Sequence, residues 1–222
     1  MLPVLFQALI LATAGLISVG SMTIVILLLI SERGWHNGLG YALGYISGYT
    51  LIGISAVVLG YQATASKTEE PGLFLPILLI ALGTLLLWLV LRSWRKPVSD
   101  EKEEPRFFSI IDKITPLKAL GFGAMVSLVN FKNMALFLTA LSVVILSSLL
   151  ITQKIVITLL VVLVFCQSVI IPVIIYISFP RRARAILNSI KQFLNRHSRT
   201  IGIWAPLVFG LLFLWKGISE LL

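Results

Sequence analysis

Apolar residues in this chain form six long runs that are separated by shorter polar stretches. A membrane-spanning helix needs about 20 predominantly apolar residues, and every run is long enough to supply one. The runs cover approximately residues 1–30, 38–61, 73–94, 117–150, 154–179 and 201–222. This pattern predicts an all-α polytopic membrane protein with six transmembrane helices.

The first and fourth runs are too long for one straight crossing, and both contain polar residues near their middle. The interrupting residues are Ser18, Ser21 and Thr23 in the first run, and Asn130, Lys132 and Asn133 in the fourth. Each interrupted run opens a group of three helices, and an odd number of crossings makes the two groups inverted relative to each other. Paired interruptions of this kind point to a midplane binding site in transporters. We therefore predict two inverted three-helix repeats, the first helix of each being interrupted.

The longest polar stretch divides the chain between these two groups. Its mixed charges and its prolines are typical of a solvated linker. We assign residues 1–95 to the first repeat, 96–117 to a charged linker and 118–222 to the second repeat. Within the second repeat, apolar residues recur at helical spacing over about residues 182–199, with most of the basic residues elsewhere. This arrangement predicts an amphipathic helix lying on the membrane surface.

Composition and charge give the location and the orientation. Of the 222 residues, 58% are hydrophobic and 12% are charged, against about 25% charged in a typical soluble domain. With six crossings, fourteen Lys and Arg lie on one side, and the other side has Lys67, Lys154 and Lys216. The positive-inside rule then predicts a multi-pass protein of an inner or plasma-type membrane, with both termini outside and the linker cytoplasmic.

The net charge of +9 has two explanations. Lys and Arg on the cytoplasmic side orient a membrane protein and contact anionic lipids, whereas a basic excess can also bind nucleic acid. We favour the first explanation, so membrane lipids are predicted partners and nucleic acid is not.

Few side chains are suited to redox, metal or catalytic chemistry. The chain has one cysteine, Cys166, which cannot form an internal disulfide or a two-thiol redox pair. His36 and His197 lie in predicted loops without a Cys or acidic cluster spaced for a metal. Apart from Cys166, no His, Cys, Asp or Glu lies near the middle of a predicted helix. We predict no metal, no cofactor and no enzymatic activity.

Lys132 is the charged residue that the apolar pattern places inside the membrane. Such a residue is a functional-site hypothesis by default, because burying its charge costs at least a few kcal/mol. The nine acidic residues all lie in loops or near helix ends. Lys132 could face a water-filled cavity, reach Glu32, lose its proton or bind an anionic group such as phosphate, sulfate or carboxylate. The alternative is a snorkelling lysine flanked by two asparagines that bond neighbouring helices.

The candidate site combines the two interruptions. Asn130 and Asn133 are three residues apart, so they lie on nearly one helix face and could either both donate to a ligand or bond exposed carbonyls of the first interruption. The small hydroxyl residues of the first interruption would form the opposing wall. The substrate-binding candidates are Ser18, Ser21, Thr23, Tyr45, Asn130, Lys132 and Asn133.

The second helix carries two stripes of side chains at four-residue spacing. Gly40, Gly44 and Gly48 form two consecutive GxxxG units, which allow another helix to approach closely and make a helix-mediated homodimer plausible. Three tyrosines follow the same spacing on a neighbouring face: Tyr41, Tyr45 and Tyr49. The tyrosines either pack and bond neighbouring helices or line a polar path for a substrate.

The second interruption resembles a motif of the glycopeptidolipid-addressing (GAP, Sap-like) family in the LysE exporter superfamily. That family has Asn-Pro-Lys-Asn followed by small apolar residues, and the equivalent stretch here is Asn130-Phe131-Lys132-Asn133-Met134-Ala135-Leu136. Phe131 replaces the family proline. The break must then come from the asparagines, or the helix stays continuous.

The first half is also similar to this family. Ser18-Val19-Gly20-Ser21 resembles its Ser-Pro-x-Pro element, Ser31-Glu32-Arg33 its Ser-Pro-Arg element, and Gly40-Tyr41-Ala42-Leu43-Gly44 its second helix. The resemblance covers the whole chain by topology. It implies movement of lipids, notably glycolipids, to the cell envelope, and the wider superfamily exports amino acids and cations.

Two classes of function fit these observations. The first is a LysE-like membrane transporter that exports or translocates a lipid, a glycolipid or a small polar solute through the midplane site. The second is a non-catalytic membrane scaffold or assembly subunit, in which the glycine face and the basic surface helix bind other proteins. Lys132→Met separates the two classes, because it impairs a transporter and is tolerated by a scaffold.

Overall fold

The computed structural model describes residues 1–31, 34–65, 74–95, 114–179 and 181–219. Within these ranges all regular structure is helical, which confirms the predicted all-α class. The predicted linker lies outside the described residues except for its last four positions. In chain order, the helices are α1 (Leu2–Ala12), a 3-10 helix (Thr13–Ile17), α2 (Val19–Ile30), α3 (Gly34–Ala65), α4 (Phe74–Arg95), α5 (Pro116–Val129), α6 (Phe131–Leu146), α7 (Ile151–Phe165), α8 (Gln167–Ser178) and α9 (Ala183–Ser219).

Three pairs of helices are bent parts of longer apolar segments. The bends are 61° between α1 and α2, 73° between α5 and α6, and 63° between α7 and α8. In the described part of the chain, one straight helix is long and apolar enough to cross a membrane, over Gly34–Gln62. The number rises to four if each bent pair counts as one span.

The first two bends fall where the polar residues interrupt the apolar runs. Ser18 stands between the 3-10 helix and α2 with φ −77° and ψ 75°, and Asn130 stands between α5 and α6 with φ −79° and ψ 75°. Both residues are N-caps of the helix that follows. The two breaks therefore have the same local backbone conformation, although one is built on serine and the other on asparagine.

The third bend is not where the proline would place it. The sequence suggests a kink at Pro172, but this residue lies inside α8 and the bend is at Cys166. Proline lacks the N–H for the helical bond to Ser168 and its ring crowds that carbonyl, so the disturbance extends toward the N-terminus. The turn at the bend tightens, and the Val169 N–H donates to the Cys166 carbonyl at 3.0 Å.

The predicted surface helix over 182–199 is not a separate element. Residues 183–219 form one continuous helix, α9, where the sequence suggested a surface helix followed by a sixth crossing. A single Gly202 near the expected boundary costs only about 1 kcal/mol in a helix, too little to end one. Leu187 is fully buried in the core, so the basic part of α9 packs against other helices along one side.

The glycine face of α3 packs against α5 within the same chain. A Cβ on Gly40 would lie 2.5 Å from the Pro116 carbonyl oxygen, and one on Gly44 would overlap the Leu120 carbonyl. Gly123 of α5 faces the Tyr41 carbonyl in the same way. The two helices therefore touch backbone to backbone. This corrects the suggestion that the glycine face binds a second copy or another protein, because α5 already covers it.

A second close crossing joins α4 to α9. A Cβ on Gly83 would lie 3.0 Å from the Gly210 carbonyl oxygen, and a Cβ on Gly210 would lie 3.2 Å from the Gly83 carbonyl oxygen. Gly83 also faces Leu214, while Gly210 faces Leu87, so the two helices run antiparallel. Both crossings pair a helix that precedes the linker with one that follows it, and they position the core between the two halves.

Candidate functional site

The two interruptions meet at one buried hydrogen-bond network. The Asn133 side-chain amide donates to the Ser18 hydroxyl and, over 3.2 Å, to the Tyr45 hydroxyl. The Ser21 hydroxyl donates to the same Tyr45 oxygen over 3.2 Å. All four residues are at least 95% buried. We call Ser18, Ser21, Tyr45 and Asn133 the junction network.

The residues of the junction network come from three different helices. Ser18 and Ser21 lie at the start of α2, Asn133 lies in the first turn of α6, and Tyr45 projects from α3. The N-termini of α2 and α6 therefore face each other across their side chains. An amide and three hydroxyls bond to one another here, so these buried polar side chains have hydrogen-bond partners.

Asn130 caps the helix turn that carries Asn133. Its side-chain oxygen accepts a hydrogen bond from the Asn133 N–H at 3.3 Å, which caps the first turn of α6. Asparagine is among the best N-cap residues because its side chain can replace the missing helical acceptor. The helix therefore breaks at Asn130 although Phe131 replaces the family proline. Asn130 caps α6 and does not join the junction network.

Lys132 is partly buried and is adjacent to the network in sequence. Phe131 before it is 61% exposed, so this turn of α6 reaches the surface of the described structure. All nine Asp and Glu of the chain lie outside the described residues, including Glu32, the partner that the sequence suggested.

Lys154, which the sequence placed at the edge of a helix, differs from Lys132 in having clear partners. The Lys154 ammonium group donates to the Ile145 carbonyl at 2.6 Å and lies 5.6 Å from the centre of the Tyr61 ring. A cation at the C-terminus of α6 is favoured by the helix dipole. Lys154 therefore has a structural role that explains its burial, and Lys132 has no such partner in the described part of the chain.

Thr23 does not join the other candidates. It lies in α2 beyond Ser21 and forms no hydrogen bond with the junction network, so the predicted opposing wall reduces to Ser18 and Ser21. Of the seven candidates, four form the junction network and Asn130 caps α6. Lys132 and Thr23 form no hydrogen bond with the network.

Two features of the site were missed by sequence reasoning. The hydroxyls of Tyr41 and Tyr49 are buried and have no hydrogen-bond partner in the described residues. The second missed feature is a close backbone contact near the site. A Cβ on Gly15 would overlap the carbonyl of Phe165, the residue before the bend at Cys166. The tyrosine spacing was visible in the sequence, but nothing in the sequence indicated that Gly15 meets residue 165.

The fold and the site define a class: a helical membrane protein whose interrupted helices meet at a buried polar junction. The family model described as "SfLAP: Sap, sulfolipid-1-addressing protein" matches residues 8–219, and the chain belongs to this family. This confirms the Sap-like resemblance and implies involvement in the addressing of a lipid. Searches of curated proteins and of solved structures found no match.

Proposed function

We propose that this protein is a LysE-like membrane transporter that moves a lipid or glycolipid across its membrane at the junction of α2 and α6. The observation that carries the proposal is the hydrogen bonding of Asn133 to Ser18 and Tyr45, which joins the two broken helices. In many transporters, interrupted helices that meet near the middle of the membrane form the substrate site. Membership of a lipid-addressing family favours a lipid as the cargo.

The six-crossing, inverted-repeat arrangement is part of this proposal. Ser18 and Asn130 have matching backbone angles, and three residues later Ser21 and Asn133 both bond to Tyr45. The contacts of Gly40 and Gly44 make α3 parallel to α5. Six alternating crossings place α3 and the segment that begins with α5 in the same direction, which is consistent with this parallel packing. Both termini would then lie outside and the linker in the cytoplasm, as the distribution of basic residues predicts.

Lys132 is proposed to bind an anionic group of the cargo. The family description names a sulfolipid, whose sulfate is negatively charged. Lys132 directly precedes Asn133 of the junction network in the first turn of α6. A protonated lysine at this depth is well suited to pair with a sulfate or phosphate headgroup.

The test is lipid movement in liposomes that contain the purified protein. A fluorescent sulfated galactosylceramide and a fluorescent phosphatidylglycerol serve as probes, and a membrane-impermeant quencher reports how fast each changes leaflet. We expect the wild-type protein to accelerate at least one probe, and Lys132→Met and Asn133→Ala to slow it by about tenfold or more, the equivalent of 1.4 kcal/mol or more in the barrier.

Ser142→Ala is the matched control for Asn133→Ala. Ser142 is also buried in α6, but its hydroxyl bonds only to the Thr139 carbonyl of its own helix. This variant is expected to move lipid at the wild-type rate. A correctly folded wild-type protein that accelerates neither anionic probe over protein-free liposomes would contradict the proposed function.

A further inference from the structure

Three tyrosines form a continuous column along α3. Tyr41, Tyr45 and Tyr49 are spaced by four residues, so their side chains follow one another along one face of the helix. All three are fully buried. The ring centres of Tyr41 and Tyr45 are 6.0 Å apart, and those of Tyr45 and Tyr49 are 4.9 Å apart. We call these three residues the tyrosine column.

The three hydroxyls of the tyrosine column differ in their hydrogen bonding. Tyr45 accepts hydrogen bonds from Ser21 and Asn133, whereas the hydroxyls of Tyr41 and Tyr49 have no partner in the described residues. A buried hydroxyl without a partner is unfavourable, and phenylalanine would fill the same space without that loss. The two outer hydroxyls therefore need an explanation that packing does not supply.

Each outer hydroxyl lies next to a member of the junction network. Tyr41 lies beside Ser21 and Tyr49 lies beside Tyr45, in each case without the geometry of a hydrogen bond. A displacement of Ser21 or Asn133 by one tyrosine position, over which the ring centres are 6.0 or 4.9 Å apart, would exchange one tyrosine partner for the next. The column therefore offers more acceptor positions than the junction network occupies.

The surrounding structure separates a fixed part from a part that can move. Gly44 and Gly123 hold α3 and α5 together through backbone contacts, which leaves little room for sliding. By contrast, α2 and α6 each begin at a residue with non-helical backbone, Ser18 and Asn130, and a break of this kind can absorb a rotation.

We propose that Tyr41 and Tyr49 are positioning residues that bond to the junction network in a second conformation of α2 and α6. In this device the network moves along the tyrosine column while the α3–α5 unit stays in place. Exchange of one buried partner for another keeps the two conformations close in free energy, as a bistable element requires. The transport role of this device depends on the proposed function, but the two conformations do not.

Distances between spin labels test the device without any lipid probe. The labels are placed at Leu43→Cys on α3 and Leu146→Cys at the end of α6, both exposed positions, in a Cys166→Ala background that removes the native thiol. The two sites are roughly 25 Å apart along the helix direction, within the range of pulsed electron resonance. The control pair is Leu59→Cys and Leu117→Cys, which are exposed residues within the α3–α5 unit.

We expect two distance populations for the α3–α6 pair and one for the control pair. The double variant Tyr41→Phe with Tyr49→Phe, which keeps both rings, should reduce the minor population several-fold without lowering the melting temperature. A single population in the wild-type protein, or two populations that the double variant leaves unchanged, would overturn the proposal. If the populations respond as expected but no lipid moves in liposomes, the proposed function fails and the device stands.

Discussion

The α3–α5 interface and the junction network show two ways of bringing helices together in one chain. At the interface, Gly40 and Gly44 let the backbone of one helix touch the backbone of the other. At the junction, Asn133, Ser18 and Tyr45 join helix ends through side-chain hydrogen bonds. The first contact depends on the absence of side chains, and the second depends on the presence of particular ones.

The two contacts therefore differ in how much change of geometry they tolerate, and this indicates different roles in the protein. A backbone contact has essentially one geometry, because any added atom overlaps a carbonyl group. A side-chain hydrogen bond can be exchanged for a neighbouring one at small cost. We therefore assign rigidity to the α3–α5 unit and adjustability to the junction, and the following predictions test that division in order of decreasing effect.

The largest effect is expected for Gly44→Leu. Its side chain would overlap the Leu120 carbonyl, which belongs to backbone and cannot move aside. We expect loss of the folded protein, because even one added carbon has no room here and leucine adds four, which takes the cost above the about 1–3 kcal/mol typical of overpacking. The yield of monodisperse protein after detergent extraction is the measurement. The matched control is Gly121→Leu on α5, where a Cβ meets nothing within 4 Å. Equal loss in both variants would refute the close-contact explanation.

A somewhat smaller effect is expected for Gly15→Ala at the first interruption. The added methyl group would overlap the Phe165 carbonyl and push the 3-10 helix away from the bend between α7 and α8. We expect a loss of about 1–3 kcal/mol, seen as a lower melting temperature. Gly20→Ala at the start of α2 has open space around it and should change the melting temperature little. Wild-type stability of Gly15→Ala would contradict the observed contact.

The junction network predicts a moderate effect for Asn133→Ala. The substitution leaves Ser18 without its donor and removes one of the two bonds to Tyr45. Hydrogen bonds between membrane helices average well under 2 kcal/mol, so we expect a loss of about 1–2 kcal/mol. Chemical denaturation in detergent measures it, with Ser142→Ala as control. Lipid movement should fall more than stability does, because the proposed role of the junction is motion and binding rather than cohesion.

The smallest effect is expected for the unpartnered hydroxyls. Tyr49→Phe removes a buried group that has no partner while it keeps the ring contacts with Phe137 and Phe165. Stability should stay equal or rise by about 0.5–1 kcal/mol. Tyr45→Phe should instead lower stability, because that hydroxyl accepts two hydrogen bonds. A destabilised Tyr49→Phe variant would mean that its hydroxyl has a partner in the folded protein.

Much of the fold was predictable because apolar runs and their interruptions are local features. The polar residues at Ser18 and Asn130 mark two of the three bends, and the glycine spacing of α3 predicts a close helix contact. The third bend was displaced from Pro172 to Cys166, since a proline disturbs the turn before it and tertiary packing decides where the chain yields. The continuity of α9 was missed because one glycine is too weak a signal to end a helix.

The sequence by itself determined the helical class, the positions of the first two interruptions and the identity of the polar residues within them. These features follow from hydropathy and from the backbone preferences of serine, asparagine and glycine, which act over a few residues. Only the tertiary structure decided that Asn133 bonds to Ser18, 115 positions away, and that the glycine face is covered by α5. Such pairings depend on how whole helices pack, because a side chain's partner across space is set by the fold and not by its neighbours in the chain.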